Sequence, residues 1–335
     1  MHTIQEVAKE AGVSVATVSR VINQSPKVTQ ETQQRVNAAI AKLGYHPNVW
    51  GRSLRRQESR MLLVFVPNIT NPYYANIITG IEDTAKKNNY NMMLCVTNGD
   101  KERAKEYFEL LRCGNADGAL LLDTTRNDQY VPRLAKNFPI VQCCEYCEDE
   151  SIGHVSIDNV SAAKQVIQYL VSLEHKRIGF AGSVNEFIST QQRETGFRQA
   201  VAEAGLAQDE VCFAYADADY NFLSGVRAVK ELLCQPKRPT AVFCISDMIA
   251  LGALRAASEL GLRVPEDLTV VGFDDVSYAT MFQPMLTTVS QPGYSLGKTS
   301  CEMLLKKIAG GTSSHVFLEH KIILRDSSAS NHALE

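Results

Sequence analysis

Residues 3–24 read TIQEVAKEAGVSVATVSRVINQ. Thr3, with Glu6 three residues on, forms the capping box that marks a helix start. Val7, Ala8 and Ala11 fall on one face of the helix that follows. Gly12 ends it, because the residue beyond a helix usually turns left-handed and glycine does so without strain. Ser14 caps a second helix, in which Val15, Val18, Val21 and Ile22 mark an apolar side while Ala16, Thr17, Arg20 and Asn23 face mostly outward. Two short helices joined by a glycine turn predict a helix-turn-helix, whose second helix can enter a DNA major groove. A pair of surface helices with no ligand is the plain alternative.

The charge balance favours DNA. Residues 1–60 hold nine Lys and Arg against four Glu, or +5, so with −3 overall the remainder carries −8. A small basic head on a large acidic body is the footprint of a polyanion-binding module attached to something else. At about 100–200 residues per domain, 335 residues predict two or three domains. A hydrophobic share of 45% supplies a large core. No apolar run approaches the ~18 residues of a membrane span, and the polar, early-helical N-terminus is not a signal peptide. Both features point to the cytoplasm. The nine cysteines, none before Cys95, are then expected as reduced thiols. Cys144 and Cys147 make a CxxC beside Cys143, but no partner pair completes a metal site, so buried small hydrophobes are the expected reading. Neither metal nor cofactor is expected.

Farther along, Thr29 caps a third helix with Val36, Ala39, Ile40 and Leu43 at helical spacing, closed by Gly44. His46-Pro47 breaks the chain. Residues 48–56 are basic and weakly helical, with Gly51 costing about 1 kcal/mol in a helix interior. From Met61 the texture changes: MLLVFV is a short continuous apolar run, the mark of a strand buried on both faces. Strands at 92–96, 118–122, 139–144 and 154–157 alternate with helices near 73–89, 101–113 and 128–137. The rhythm repeats with strands at 177–182, 211–216, 241–245, 268–273 and 287–290 and helices near 160–173, 190–204, 222–234 and 247–260. Two β/α arrays predict an α/β core of two doubly wound lobes behind a small all-α head. The boundaries fall at residues 1–47 for the head, 48–58 for a hinge helix or a solvated linker, the linker being the plainer reading of these residues alone, and 59–335 for the core.

Ligands in such folds sit beyond the carboxyl ends of the strands. There stand Tyr73 and Tyr74 after the first strand, Asp123 after the third, and Asp247 and Asp274 in the second array, with Arg193 near a helix start. Carboxylates, a guanidinium and aromatic faces suit a polyhydroxylated or heterocyclic small molecule. Helix capping is the alternative role for each aspartate, above all for Asp247. No GxGxxG, P-loop, GxSxG or HExxH occurs, so an enzyme is not expected. A plain solute-binding protein with the same two lobes would lack residues 1–60, and an enzyme acting on a sugar or nucleoside would need a catalytic constellation that is not visible.

Several stretches together resemble the lactose/galactose repressor family of bacterial transcription regulators: TIQEVAKEAGVSVATVSRVIN at 3–23, LGYHPN at 43–48, NPYY at 71–74, HKRIGFAG at 175–182, RETGF at 193–197, SDMIALGAL at 246–254, VPEDLTVVGFDD at 264–275 and LTTVSQP at 286–292. The hinge region and SIDNVSAAKQVIQYL look most like the cytidine repressor branch, and the recognition helix like the galactose repressor branch. The resemblance implies a periplasmic-binding-protein-like core and a homodimer on a near-palindromic operator, repressing transcription under control of a nucleoside or sugar. It also implies that Val15 and Ala16 read thymine methyls and Arg20 a guanine edge. Ser14, Thr17, Asn23 and Tyr45 would hold phosphates, while Leu54 wedges into the minor groove with Arg55 beside it. Trp50 and Gly51 depart from the smaller residue and the alanine usual there. The implied effector contacts are Tyr73, Tyr74, Asp123, Arg193, Tyr220, Asp247 and Asp274.

Overall fold

Thr3 starts helix α1 (Ile4–Ala11) as its capping box predicts: its Oγ1 accepts the Glu6 amide and its own amide donates to the Glu6 carboxylate. Gly12, at φ 65°, ends the helix. Helix α2 (Val15–Ile22) follows, its first turn capped by Ser14, whose Oγ accepts the Thr17 amide at 3.1 Å. Helix α3 (Gln30–Leu43) runs from a Thr29 cap to Gly44 in the left-handed region. Val7, Ala8, Val18, Val21, Val36 and Ala39 bury themselves between the three helices. Arg35 of α3 donates to the Ala11 carbonyl at 2.6 Å and so ties α3 to the end of α1. One placement differs from the sequence reading. Val15 is not part of the apolar side of α2: it is 38% exposed, and core contacts begin one turn later at Val18.

The structure is a computed structural model and describes residues 2–22, 25–45, 58–312 and 314–331. Asn23 and the expected hinge at 48–56, with Trp50, Gly51, Leu54 and Arg55, lie outside the described residues. The chain divides into two units, Met1–Ser59 and Arg60–Glu335.

In the second unit the first array comprises β1 (Met61–Val66), α4 (Tyr73–Lys87), β2 (Asn91–Val96), α5 (Lys101–Arg112), β3 (Gly118–Leu121), α6 (Tyr130–Ala135), β4 (Ile140–Cys143) and β5 (His154–Ile157). The second comprises α7 (Asn159–Ser172), β6 (Ile178–Ser183), α8 (Ile188–Glu203), β7 (Val211–Ala216), α9 (Phe222–Leu233), β8 (Ala241–Cys244), α10 (Asp247–Glu259), β9 (Thr269–Asp274) and β10 (Thr287–Ser290). Three elements that the sequence reading did not anticipate follow: α11 (Gly293–Ile308), β11 (His315–Leu318) and β12 (Lys321–Ile323).

Each array forms a six-stranded sheet, in the orders β11-β5-β4-β3-β1-β2 and β12-β10-β9-β8-β6-β7. Pairing is parallel throughout except for β12, which runs antiparallel to β10. The continuous apolar run in β1 has its expected cause: Leu62, Val64 and Val66 enter one core while Leu63 and Phe65 enter another. The late elements change the connectivity. Helix α11 and strand β11 return to the first lobe, where β11 pairs with β5, and β12 goes back to the second. The chain therefore crosses between the lobes three times: at Asp158, at 291–292 and at 319–320.

Helices α4 and α11 meet backbone to backbone. A Cβ on Gly297 would lie 2.0 Å from the Ile77 carbonyl oxygen, and one on Gly80 would lie 2.2 Å from that of Tyr294. Such overlap must be relieved by separating the helices. Gly297→Ala should cost about 1–3 kcal/mol, read as a lowered urea midpoint; an unchanged midpoint would mean that α11 slides without loss of packing.

Candidate functional site

A cavity of about 1250 Å³ opens between the lobes at the carboxyl ends of the strands. From the first lobe, the segments after β1, β2 and β3 line it, Asp123 and Thr124 among them; from the second come 184–187, 218–223 and Met248. Two sequence-predicted tyrosines, Tyr74 and Tyr220, meet on its wall through their hydroxyls. Burial pushes the Tyr74 hydroxyl well above the ordinary phenol value and raises Tyr220 as well.

Tyr73, Arg193 and Asp274 are not on the cavity lining. They form a buried network beside it. Arg193 projects from α8, donates to the Asn159 amide oxygen at 2.9 Å and to the Ile245 carbonyl at 2.6 Å, and lies 3.7 Å above the Phe273 ring centroid. Its Nη1 is 3.7 Å from Asp274 Oδ1, a charge contact rather than a hydrogen bond. Gln291 donates to the same Asp274 oxygen at 2.8 Å and accepts from the Tyr73 hydroxyl at 3.0 Å. The Tyr73 oxygen also lies 3.1 Å from Cys144 Sγ. The network thus runs from the second lobe, through a crossover residue, into the first.

Asp247 takes its hydrogen bonds from outside both groups. It is fully buried, its oxygens accept from the Val276 amide at 2.9 Å and the Thr288 hydroxyl at 2.6 Å, and Ser246, not Asp247, caps α10. Its position is that of a brace within the second lobe. Burial and the neighbouring Asp274 raise its carboxyl.

Sequence reasoning missed Glu145, Ser189 and Gln291. Glu145, buried in the first lobe, accepts the Ser189 hydroxyl at 2.5 Å and the Ser189 amide at 3.2 Å from α8 of the second. Gln192 donates to the Tyr146 hydroxyl across the same seam. Gln291 stood in the quoted LTTVSQP stretch, whereas Glu145 was visible only as the residue after a strand end. The CxxC does not close on itself: Cys144 Sγ lies 3.6 Å from Cys143 Sγ, while Cys147 Sγ accepts from Gln142 at 3.3 Å. All nine cysteines are free thiols.

On the small unit, Ser14, Val15, Ala16 and Arg20 are exposed along α2, Thr17 is half-buried, and Tyr45 packs partly on the three-helix core.

Residues 3–48 match the lacI family of bacterial regulatory proteins, and residues 167–328 match a periplasmic binding protein-like domain. The HTH-type transcriptional repressor CytR of Escherichia coli K12 is 36% identical over 330 residues, covering 97% of this chain and 96% of that protein. The chain belongs to the lacI family of bacterial regulatory proteins. It is a DNA-binding transcriptional regulator with a two-lobed effector-binding core. Two solved structures place this lacI-family chain further. A lac repressor dimer bound to operator and an anti-inducer is 26% identical, with a TM-score of 0.88, covering 98% of this chain and 99% of that one. The regulator CelR in complex with cellobiose is 30% identical, with a TM-score of 0.73, covering 98% and 100%. No helix among the described residues is long and apolar enough to cross a membrane.

Burial pushes the Asp274 carboxyl up to about 7, with Arg193 and Gln291 pulling it back. The folded value lies above the unfolded one, so folding favours the protonated form: that stability is full below about pH 4 and is lost as pH rises through about 7. Asp274→Asn, neutral at every pH, should flatten the wild-type fall in urea midpoint between about pH 5 and pH 8. Parallel slopes in the two proteins would show Asp274 ionised throughout.

Proposed function

We propose that this chain is a repressor that acts in the cytoplasm as a homodimer on a near-palindromic operator, gated by a nucleoside or sugar bound between its lobes, with no reaction catalysed. The observation that carries this reading is the pairing, in one lacI-family chain, of an exposed recognition helix with a large cavity at the strand ends of two lobes.

At the DNA, Val15 and Ala16 offer apolar contacts to thymine methyls, and Arg20 offers its guanidinium to a guanine edge. Ser14, Thr17, Asn23 and Tyr45 hold phosphates, and Leu54 and Arg55 of the hinge at 48–58 enter the minor groove. At the effector site, Tyr74, Asp123 and Tyr220 contact the ligand from the cavity wall, and Tyr73, Arg193 and Asp274 complete it as the lobes re-orient. Asp247 holds the second wall in place. Occupation of the cavity biases one lobe arrangement over another, and the hinge engages or releases the operator accordingly. That CelR was solved as a cellobiose complex, and a lac repressor dimer bound to operator and an anti-inducer, supports small-molecule gating of DNA binding in this fold.

A gel-shift series with nucleosides and sugars tests the gating: a compound that binds the core should move operator affinity by about 5–150-fold, the usual range of such coupling. Operator affinity unmoved by every compound that raises the melting temperature of the core would count against it. Arg20→Ala should cost roughly 1–3 kcal/mol and relax preference at one base pair per half-site. Equal losses on every operator variant would assign Arg20 to the phosphates.

A further inference from the structure

Gln142, His154 and His315 stand side by side on neighbouring strands β4, β5 and β11 of the first lobe, away from the cavity lining. The two imidazoles face each other, with 2.9 Å between their Nδ1 atoms. Their ring centres are only 4.5 Å apart and their planes meet at 40°, so the rings are canted and the two nitrogens do not point straight at one another. His315 Nε2 lies 3.1 Å from the Glu150 carbonyl oxygen. A carbonyl only accepts, so that nitrogen carries a hydrogen, and the Nδ1 of a neutral His315 is bare. His154, 8% exposed, then has two tautomers open to it. With its hydrogen on Nδ1 it fills the 2.9 Å contact. Its Nε2 is then a buried acceptor with no partner among the described residues, beside a second such acceptor, Gln142 Oε1. With its hydrogen on Nε2 it supplies the donor that this corner lacks, and the lone pairs of both Nδ1 atoms are free.

We infer that His154 and His315 chelate a divalent transition-metal ion through their Nδ1 atoms. Imidazole nitrogens hold such an ion at about 2.0–2.1 Å. Two of them at right angles about it stand about 2.9 Å apart, and two at the tetrahedral angle about 3.3 Å apart. The separation between the two rings is the right-angled one, which suits the tetragonal coordination of Ni²⁺ or Cu²⁺ rather than that of Zn²⁺. A metal-bound imidazole gives its other N–H to a carbonyl or carboxylate, as His315 does to Glu150. Tyr146, stacked on His154 at 3.8 Å and 1°, and Phe317, edge-on at 5.5 Å, hold the buried ring in place. Burial and the facing ring hold His154 down at about 4, so it is neutral and able to ligate at physiological pH. No group of three or more His, Cys, Asp or Glu converges among the described residues. Water therefore completes the coordination, from the side on which His315 is exposed. The ion ties β5 to β11 just before each strand leaves for the second lobe, at Asp158 and at 319–320, and so braces two of the three crossovers.

Ni²⁺ is the probe, because Cu²⁺ oxidises thiols and the nine cysteines are free. Isothermal titration of the full chain with NiCl₂, above neutral pH, should show one site stronger than any other. His315→Gln changes an exposed ring and should weaken that site at least about 10-fold, the usual cost of losing an outer-shell partner alone. His154→Gln should do the same. His2→Gln, which leaves the pair intact, should leave it unchanged. Ni²⁺ should also raise the melting temperature of the wild type and not that of His315→Gln. Four results would overturn the inference: no Ni²⁺ uptake by the wild type, uptake that His315→Gln leaves unaltered, uptake lost with His2→Gln, or Zn²⁺ held more tightly than Ni²⁺. The first would mean that a single hydrogen closes the 2.9 Å contact, and the next two that thiols or the N-terminus take the ion. The wild-type titration and His315→Gln decide the matter even where His154→Gln fails to fold.

Discussion

One buried guanidinium holds the core's shared wall together. Arg193 faces Asp274 in a region where burial raises the carboxyls of Asp274, Asp247 and Glu145 alike. It also binds Asn159, the first residue after one crossover, and through Asp274 it reaches Gln291 in the next. Two of the three links between the lobes are therefore anchored at a single side chain. Arginine suits the post because its flat fork serves a carbonyl, an amide oxygen and an aromatic face in three directions at once. A lysine would supply the charge without that geometry.

The relay on the other side of Asp274 shows how such an anchor can have two settings. The Tyr73 hydroxyl carries one proton and stands near two acceptors, Gln291 Oε1 and Cys144 Sγ. When it donates to Gln291, the Cys144 thiol is left to donate to Tyr73. Rotation of one lobe against the other must break a member of this chain, and likewise the Glu145–Ser189 contact. Buried hydrogen bonds do not stretch gradually; they are made or lost, which gives a seam of this kind discrete states.

Much of this was legible in the sequence because it is local. Capping boxes, left-handed glycines and apolar runs act over a few residues, so α1 to α3 and the β/α alternation from Met61 to Ser290 could be read directly. The last three elements could not. Helix α11 has a diffuse apolar pattern because much of its buried face is Gly297, Ser300 and Cys301, small residues that permit close approach. Strands β11 and β12 are short and half-exposed at the sheet edges. At the site, strand-end position picked out Asp123 and Tyr74, which do line the cavity, but not the division between wall, network and brace. Asp247 and Asp274 look alike in sequence. Only the Val276 amide and the Thr288 hydroxyl, brought in from elsewhere in the chain, set the first apart.

The triple crossover also orders events during synthesis. The helix-turn-helix unit is contiguous and emerges first. The first lobe leaves its sheet edge at β5 open until β11 arrives, after the entire second-lobe array has been made. At about 5–20 residues per second, that interval is on the order of 10–30 s on the ribosome. For that time the nascent chain carries a finished DNA-binding head on an unfinished core, with the edge of β5 and the groove for α11 exposed. A chaperone that shields apolar sheet edges would find its substrate in this window, and a stalled ribosome would leave a reading head without its control.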